Sequence, residues 1–253
     1  MSTTTRSAGD PTNRGAESRG EGVLERPSLW QEFSWILGKD LRAERRAPSV
    51  LMVSVLLAAG VVAACALAGG GAGSGELACA AIWVSVAFSG VYSSSNAFAR
   101  EQASGVFRVL VGGPIRGVSL YLGKATGVLV MTLIGGMVAA AMSALVIDAA
   151  GLLAWPWRLA GILAAGCFGF AVVGALVAPL LGLGAGREAL LALVLLPLGV
   201  PIILSGARAT AALYAGPANL DAYRDSLGIV LGLDGLFLAL ALWLFEPLVR
   251  RRG

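Results

Sequence analysis

Six long apolar runs dominate the chain, and polar or glycine-rich stretches separate them. The runs cover residues 49–69, 76–98, 119–147, 159–181, 189–207 and 226–246. Each is long enough to cross a bilayer as one helix, because about 20 apolar residues span its hydrocarbon core. The third run is longer than one span requires, so we expect its start to lie at the membrane interface. The pattern predicts an all-α polytopic membrane protein with six transmembrane helices.

The residues before the first run divide into two parts. Residues 1–28 are rich in Gly, Ser, Thr and Arg and predict a disordered cytoplasmic tail. Residues 29–46 form an amphipathic pattern, with Trp30, Phe33, Leu37 and Leu41 at helical spacing and Lys39, Arg42, Arg45 and Arg46 toward the end. This pattern favours a helix in the headgroup region. Pro48 breaks it, so residues 29–48 are an interfacial segment and residues 49–253 the six-helix domain.

The composition narrows the function classes. The chain is 57% hydrophobic and 13% charged, whereas a soluble domain carries about 25% charged residues. Histidine is absent, which excludes His-ligated zinc, a His ligand to haem and a Ser–His or Cys–His pair from this chain. An intramembrane enzyme is therefore disfavoured. Cys65, Cys79 and Cys167 lie in apolar runs and are expected to pack as small residues, although a Cys65–Cys79 disulfide stays open.

Lysine and arginine predict the orientation. With the N-terminus inside, twelve lie at inner segments: Lys39, Arg42, Arg45, Arg46, Arg100, Arg108, Arg116, Lys124, Arg187, Arg250, Arg251 and Arg252. Three lie at outer segments: Arg158, Arg208 and Arg224. The positive-inside rule then places both termini in the cytoplasm. Trp155, Trp157, Tyr214 and Tyr223 fall near the outer interface. The net charge of +4 reflects this topology and does not indicate nucleic-acid binding.

Polar groups within the runs are few. Ser85, Ser89, Ser93 and Asn96, extended by Ser94 and Ser95, form a stripe that either packs against another helix or lines a pathway. Asp234 lies within the sixth run, where a carboxylate is costly, and we expect it in the outer half of the helix. It is a candidate functional group, or it reaches a water-filled outer vestibule. Pro197 and Pro201 loosen the fifth span as a hinge or as a fixed kink.

The inner connection 99–118 is the most informative polar segment. Glu101, Gly105, Arg108 and Leu110 lie along a short helical pattern that Gly112–Gly113–Pro114 ends. Such a helix between two spans can dock on a cytoplasmic partner, or it is an ordinary connector. If it docks, Glu101 and Arg108 share its polar face, Gly105 permits close approach, and Pro114 fixes the turn back to the membrane.

Glu101, Gly105, Leu110, Pro114 and then Gly123–Lys124 resemble the coupling segment of ABC exporter permeases of the second type. Within that class the chain resembles the CcmB family, haem exporter protein B, over about residues 30–250. The segments WILGKDLRAERRAPSV at 35–50 and LALVLLPLGVPIILSGA at 191–207 carry this resemblance. It implies a permease subunit that couples ATP hydrolysis on a partner to haem delivery for c-type cytochrome biogenesis.

The resemblance also implies partners and a location. These are an ABC ATPase (CcmA-like), a haem-handling membrane subunit (CcmC-like), a small membrane subunit (CcmD-like), a periplasmic haem chaperone and a second permease copy, in the lipid of the bacterial inner membrane. No P-loop occurs, because Val118 and Ala125 occupy positions where that motif needs Gly and Ser or Thr. ATP is thus expected on the partner, and haem as a ligand of the complex. The alternatives are a generic exporter of lipid, drug or polysaccharide and a passive scaffold of an assembly complex.

Overall fold

The computed structural model describes residues 28–46, 48–69, 75–97, 99, 117–147, 150–181 and 186–250, with side chains through residue 244. Seven α-helices lie in this part: α1 (Leu29–Arg46), α2 (Ser49–Ala68), α3 (Gly75–Ala97), α4 (Gly117–Val146), α5 (Pro156–Val177), α6 (Arg187–Tyr214) and α7 (Leu220–Arg250). Short 3-10 turns cover Ala150–Ala154, Ala178–Leu181 and Pro217–Asn219. The described residues contain no strand. Helices α2 to α7 are each long and apolar enough to cross a membrane, as the sequence predicted.

Three predicted segments fall outside the described residues. These are residues 1–27 of the predicted tail 1–28, residues 70–74 of the glycine-rich stretch 69–75, and residues 100–116 of the loop between α3 and α4. The last segment contains Glu101, Gly105, Arg108, Leu110 and Pro114, so the docking helix predicted there stays a prediction.

The last outer connection is shorter than the sequence predicted. Residues 208–225 were expected to form a loop, but α6 continues to Tyr214 and α7 begins at Leu220. The prediction was wrong because it took the polar residues of this stretch as a loop, whereas both helices continue through them. The chain turns only where Gly216 takes a φ of 97° and Pro217 follows. A positive φ favours glycine, and proline cannot continue the preceding helix, so these two residues confine the turn.

Helix α3 lies at the centre of the bundle. It packs against α2, α4, α5 and α6, while α7 lies against α5 and α6, and α1 lies against α4. Trp83 of α3 is fully buried, and its indole N–H donates to Thr210 Oγ1 of α6 at 3.2 Å. The ring is so close to Gly166 and Gly206 that a Cβ at either position would overlap with it. Two glycines therefore make room for the largest side chain of the core.

Small residues let other helices approach α3 in the same way. Ser89 lies against Gly135 of α4, and its hydroxyl donates to the Ser54 carbonyl of α2 at 3.5 Å. A Cβ at Gly174 of α5 would overlap with the Ser94 hydroxyl. These contacts favour helix packing over pathway lining for this part of the serine stripe.

The aromatic residues predicted for the outer interface do lie at one end of the bundle. The Tyr223 hydroxyl donates to the Arg158 carbonyl at 3.0 Å, and the Arg158 guanidinium lies 4.3 Å from the centre of the Trp155 ring. Tyr214 packs against Gly75 and Gly151. All three cysteines are free thiols, so the bridge between Cys65 and Cys79 is not formed in this structure.

Candidate functional site

Helix α1 begins with a reciprocal cap. The Gln31 N–H donates to Ser28 Oγ at 3.3 Å, and the Ser28 N–H donates to Gln31 Oε1 at 3.0 Å. This capping box satisfies N–H groups that have no partner within the helix. The amphipathic pattern thus forms the helix that the sequence predicted, over the same residues.

The face that α1 turns toward the bundle is acidic. Glu32, Ile36 and Glu44 are buried, and the Asp40 side chain between them is 25% exposed. These residues recur every four positions and so share one side of the helix. Trp30, one of the apolar residues predicted to lie in the headgroup region, is 80% exposed and does not belong to this face. Polarity alone does not show which carboxylates find a partner in the bundle.

Helix α1 packs against Gly123 and Lys124 of α4. A Cβ at Gly123 would lie 2.7 Å from Ile36 Cγ2, so the missing side chain lets the two helices touch. The Lys124 side chain is almost completely buried, and its Nζ lies 2.8 Å from Asp40 Oδ2. A buried charge needs such a partner to offset the loss of hydration. The Gly–Lys pair therefore acts here as the docking point of α1, and we call these contacts the elbow dock.

Glu44 joins the elbow dock to α2. Its Oε1 accepts the Leu51 N–H at 2.9 Å, in the first turn of α2. Pro48, which precedes this helix, has no side chain that can cap it. A carboxylate at a helix N-terminus is favourable because it satisfies a free N–H and faces the positive end of the dipole. The end of α1 thus stabilises the start of the first span.

A cavity of about 120 Å³ lies beside the elbow dock. Its lining comes from α1 (Asp40, Leu41, Glu44), α2 (Ser49, Val50), α3 (Ser93, Asn96, Ala97) and α4 (Lys124, Gly127, Val128, Met131). Ser93 Oγ is buried and has no hydrogen-bond partner among the described residues. Ala97 ends α3 and Gly117 begins α4. The cavity therefore adjoins the two helices that flank the predicted coupling loop.

Asp234 is the second unusual polar group. It is 3% exposed, and neither carboxylate oxygen has a hydrogen-bond partner within the described part of the chain. A Cβ at Gly169 of α5 would overlap with both Asp234 Oδ1 and the Ile202 side chain of α6. Gly169 thus provides the space in which α7 brings its carboxylate against α5.

The depth of Asp234 differs from the expectation. Gly169 is near the middle of the span Pro156–Leu181, and Ile202 is near the middle of Arg187–Tyr214. Their contact places Asp234 at mid-depth and not in the outer half. The expectation was wrong because the sixth run was predicted to begin at residue 226, whereas α7 begins at Leu220. The earlier start puts more of the helix before Asp234 and moves the carboxylate toward its middle. With so little exposure, the carboxylate also does not reach a wet vestibule within one copy of the chain.

Pro197 and Pro201 lie within an uninterrupted α6. Both are exposed, on the side of α6 that faces away from the bundle. Because proline lacks the N–H that would bond four residues back, each leaves one carbonyl of the helix without its usual donor. Whether this makes α6 a hinge stays a prediction.

Sequence reasoning missed two features of the molecule. One is the acidic face of α1, which the recurrence of Glu32, Asp40 and Glu44 at multiples of four could have revealed. The other is the buried ring of Trp83. Nothing in the sequence distinguishes Gly166 and Gly206, which hold that ring, from glycines that touch nothing. Among the described residues no group of three His, Cys, Asp or Glu could hold a metal ion.

A family model described as CcmB protein matches residues 31–250, which is nearly the whole chain. The chain belongs to the CcmB family. This membership supports a haem-exporting ABC permease subunit for cytochrome c maturation, a multi-pass membrane protein that is not itself a catalytic enzyme. Comparison with curated proteins and with solved structures gave no significant match. The family match starts within α1, so the elbow dock lies inside the matched residues.

Proposed function

We propose that this chain converts movement of a partner ATPase into movement of its own helices during haem delivery for c-type cytochrome assembly. The observation that carries the proposal is the elbow dock. Ion pairing between Lys124 and Asp40 and the close contact of Gly123 with Ile36 join α1 to α4. Helix α4 follows directly after the segment that resembles a coupling loop. A displacement at that loop therefore moves α4 and α1 together.

The elbow dock favours rigid-body transmission over local rearrangement. Glu44 ties α1 to the first turn of α2, and the cavity between them is lined by residues from four helices. A push at the inner ends of α3 and α4 thus reaches three spans through contacts that are already made. Motions of this kind are hinge or shear movements of packed helices. A passive scaffold needs no such linkage.

The coupling loop provides the first test. Gly105→Trp places a large side chain at the proposed contact, and Arg108→Glu reverses a charge on its polar face. Both variants should insert in the membrane, but they should lose the ATPase on co-purification or leave its hydrolysis uncoupled. The Arg108→Glu defect should depend on salt, because ions screen an exposed charge pair. If both variants retain the ATPase and mature c-type cytochromes at wild-type levels, the loop is an ordinary connector.

The elbow dock provides a separate test of transmission. Lys124→Met removes the charge that holds Asp40 but keeps a long buried chain. We expect the variant to bind the ATPase as the wild type does and to lose most cytochrome c maturation. Arg45→Gln, which removes an exposed charge from α1 without touching the pair between Lys124 and Asp40, is the control. Full maturation in Lys124→Met would show that transmission does not pass through α1.

Haem handling and Asp234 belong to the same proposal. The chain has no histidine, so we expect haem as a cargo of the complex, and the purified chain alone should show no His-ligated haem spectrum. Asp234 is inferred to serve the transport cycle, since a mid-depth carboxylate without a hydrogen-bond partner among the described residues lowers stability unless another state uses it. Asp234→Asn should assemble with the ATPase but mature less cytochrome c. Wild-type maturation would contradict that role.

The assembly and its orientation are also proposals. They comprise the CcmA-like ATPase, the CcmC-like and CcmD-like membrane subunits, the periplasmic chaperone and a second permease copy, with both termini cytoplasmic in the bacterial inner membrane. More Lys and Arg residues lie at the segments on the same side of the membrane as the N-terminus than on the other side, and this excess supports the orientation. A reporter fused after Gly253 should be inactive if it is one that functions only in the periplasm. A generic export role would instead leave c-type cytochromes unaffected when the chain is deleted.

A further inference from the structure

The carboxyl group of Asp234 has unusual surroundings for a group that ionises. Asp234 lies on the buried side of α7, together with Tyr223, Val230 and Ala241. It is 3% exposed, and neither of its oxygens has a hydrogen-bond partner among the described residues. An ionised carboxylate in such a place loses its hydration and gains no compensating contact, which is costly. The surroundings therefore fit the neutral acid and not the anion.

Helices α5 and α7 themselves bring no cation to Asp234. The titratable side chain of α5 that faces it is the thiol of Cys167, which is fully buried and close enough for the carboxylate charge to act on it. Arg158 of α5 is at the end of the bundle, where its carbonyl accepts the Tyr223 hydroxyl. The other charged side chains of the described part of α7 are exposed: Asp221, Arg224 and Asp225. A neutral thiol is only a weak donor and cannot balance a carboxylate.

Helices α4 and α6, which also pack against α7, have their titratable groups elsewhere. On α4, the Tyr121 hydroxyl donates to the Val172 carbonyl at 2.9 Å, and Lys124 Nζ lies 2.8 Å from Asp40 Oδ2. On α6, Arg208 is exposed and lies six residues after Ile202, which shares the space at Gly169 with Asp234. The remaining titratable residues of α6 lie at its two ends: Arg187, Glu188 and Tyr214. Asp234 therefore has no ion-pair partner in the described part of the chain.

Of the cations that a carboxylate can bind, the proton fits this place. Ca²⁺ and Mg²⁺ take about six or more oxygen ligands. The side chains beside Asp234, those of Ile202 and Cys167, carry no oxygen, and the described residues contain no group of three His, Cys, Asp or Glu that could hold a metal. A proton needs one carboxylate oxygen only, and it removes the charge that burial penalises.

We propose that Asp234 is a proton-binding site, which holds a proton while α7 lies against Gly169 and exchanges it with water when the two helices separate. Of the apolar stretch in Pro217–Leu244, 17% is buried within one copy, compared with 61% in Pro156–Leu181. Helix α7 thus has less buried surface to lose on moving than α5 has. Because the anion is stable only where water reaches it, the proton and the position of α7 are linked. The inference rests on the transport role proposed above for Asp234 and names its ligand.

Infrared spectroscopy of the purified full-length chain measures the bound proton directly. The chain is kept in a maltoside detergent, which has no carbonyl group of its own. At neutral pH, where a carboxyl group in water is ionised, the wild type should show the carbonyl stretch of a protonated carboxylic acid. Asp234→Asn should lose this band, and Asp234→Ala serves in its place if the first variant does not fold. The matched control Asp225→Asn, which removes an exposed carboxyl group from the same helix, should keep the band.

Transfer of the same samples into D₂O measures the exchange step. Deuterium on the acid lowers the frequency of its carbonyl stretch, so the rate of this shift reports how often water reaches Asp234. Gly169→Ala places a methyl group against the carboxyl group and should raise the rate several-fold. Gly161→Ala is the matched control on the same helix, because a Cβ there comes no closer than 3.8 Å to its neighbour, the Tyr223 hydroxyl. Its rate should equal that of the wild type.

Three results would overturn the proposal. The wild type would show no protonated carboxyl band at neutral pH, the band would remain undiminished when Asp234 is replaced, or Gly169→Ala would exchange no faster than Gly161→Ala. The measurements use the chain alone, without ATPase or haem. Their failure is therefore distinct from a loss of cytochrome c maturation, which tests the proposed function.

Discussion

Glycines in the centre of the bundle and glycines in α7 have opposite surroundings. A Cβ at Gly166, Gly206 or Gly174 would overlap with a side chain of α3, whereas Gly228 and Gly232 have no heavy atom within 4 Å of that position. In the centre, the missing side chain lets helices approach and pack. At Gly228 and Gly232 of α7 no other described part of the chain lies close enough to need the missing side chain. Glycine therefore marks close packing only where another helix is present.

The centre of the bundle and α7 are in close contact at Gly169. Gly169 of α5 admits the Asp234 carboxylate of α7, although most of α7 is exposed. A helix that buries little of its described surface thus places a buried carboxylate against the centre. This contrast suggests that α7 is held by few contacts and that its position is sensitive to them. Four predictions test the contrast, in order of decreasing effect.

The largest effect is expected for Gly206→Leu. The new side chain would occupy the space of the Trp83 ring, so α6 must move away from α3. Overpacking of this kind costs about 1–3 kcal/mol and more when the neighbour cannot move. The matched control is Gly232→Leu, where the space is open. Thermal unfolding of the purified chain in detergent measures both, and equal midpoints would show that the centre is not tightly packed.

The next prediction concerns the hydrogen bond that holds the Trp83 ring. Thr210→Val leaves the buried indole N–H without its acceptor, at a cost of about 1–3 kcal/mol. The control is Thr126→Val. That hydroxyl also donates to the carbonyl four residues back, but it is on the exposed side of α4. A midpoint for Thr210→Val that matches the control would contradict a structural role for this bond.

The contact between Gly169 and Asp234 should appear as a coupling energy. Gly169→Ala should destabilise the wild type, because its Cβ meets the carboxylate, and should cost less when Asp234 is replaced by Ala. Residues in direct contact show interaction energies of about 0.5–3 kcal/mol. The measurement is a double-mutant cycle on the free energy of unfolding. Strict additivity would mean that α7 does not bring Asp234 to this position.

The smallest effect is expected for Gly232→Ala, and its sign is opposite. With open space beside it, the new methyl meets nothing and alanine raises helix propensity by up to about 1 kcal/mol. The unfolding midpoint should therefore rise slightly. A fall would show that another chain packs against this face of α7 in the assembled protein.

The sequence predicted the helices well because their signal is local. A run of apolar residues long enough to span a bilayer must be a helix, since the backbone there has no other way to satisfy its polar groups. The six spans follow from this, while the bounds of α1 follow from its amphipathic periodicity and from Pro48. The prediction of a loop over residues 208–225 was wrong because polar residues mark the boundary of the membrane, and a helix can continue beyond that boundary.

The sequence by itself therefore determined the class of protein, the number of spans, the amphipathic helix and the Gly–Lys pair as a feature of note. Only the tertiary structure decided which face of α1 is buried, that Lys124 binds Asp40, and that Asp234 meets Gly169 at mid-depth. Composition and periodicity report the environment a residue needs, such as lipid, water or a helical turn. Partners for buried charges and for glycines lie on other helices, far away in the chain, and only packing brings them together.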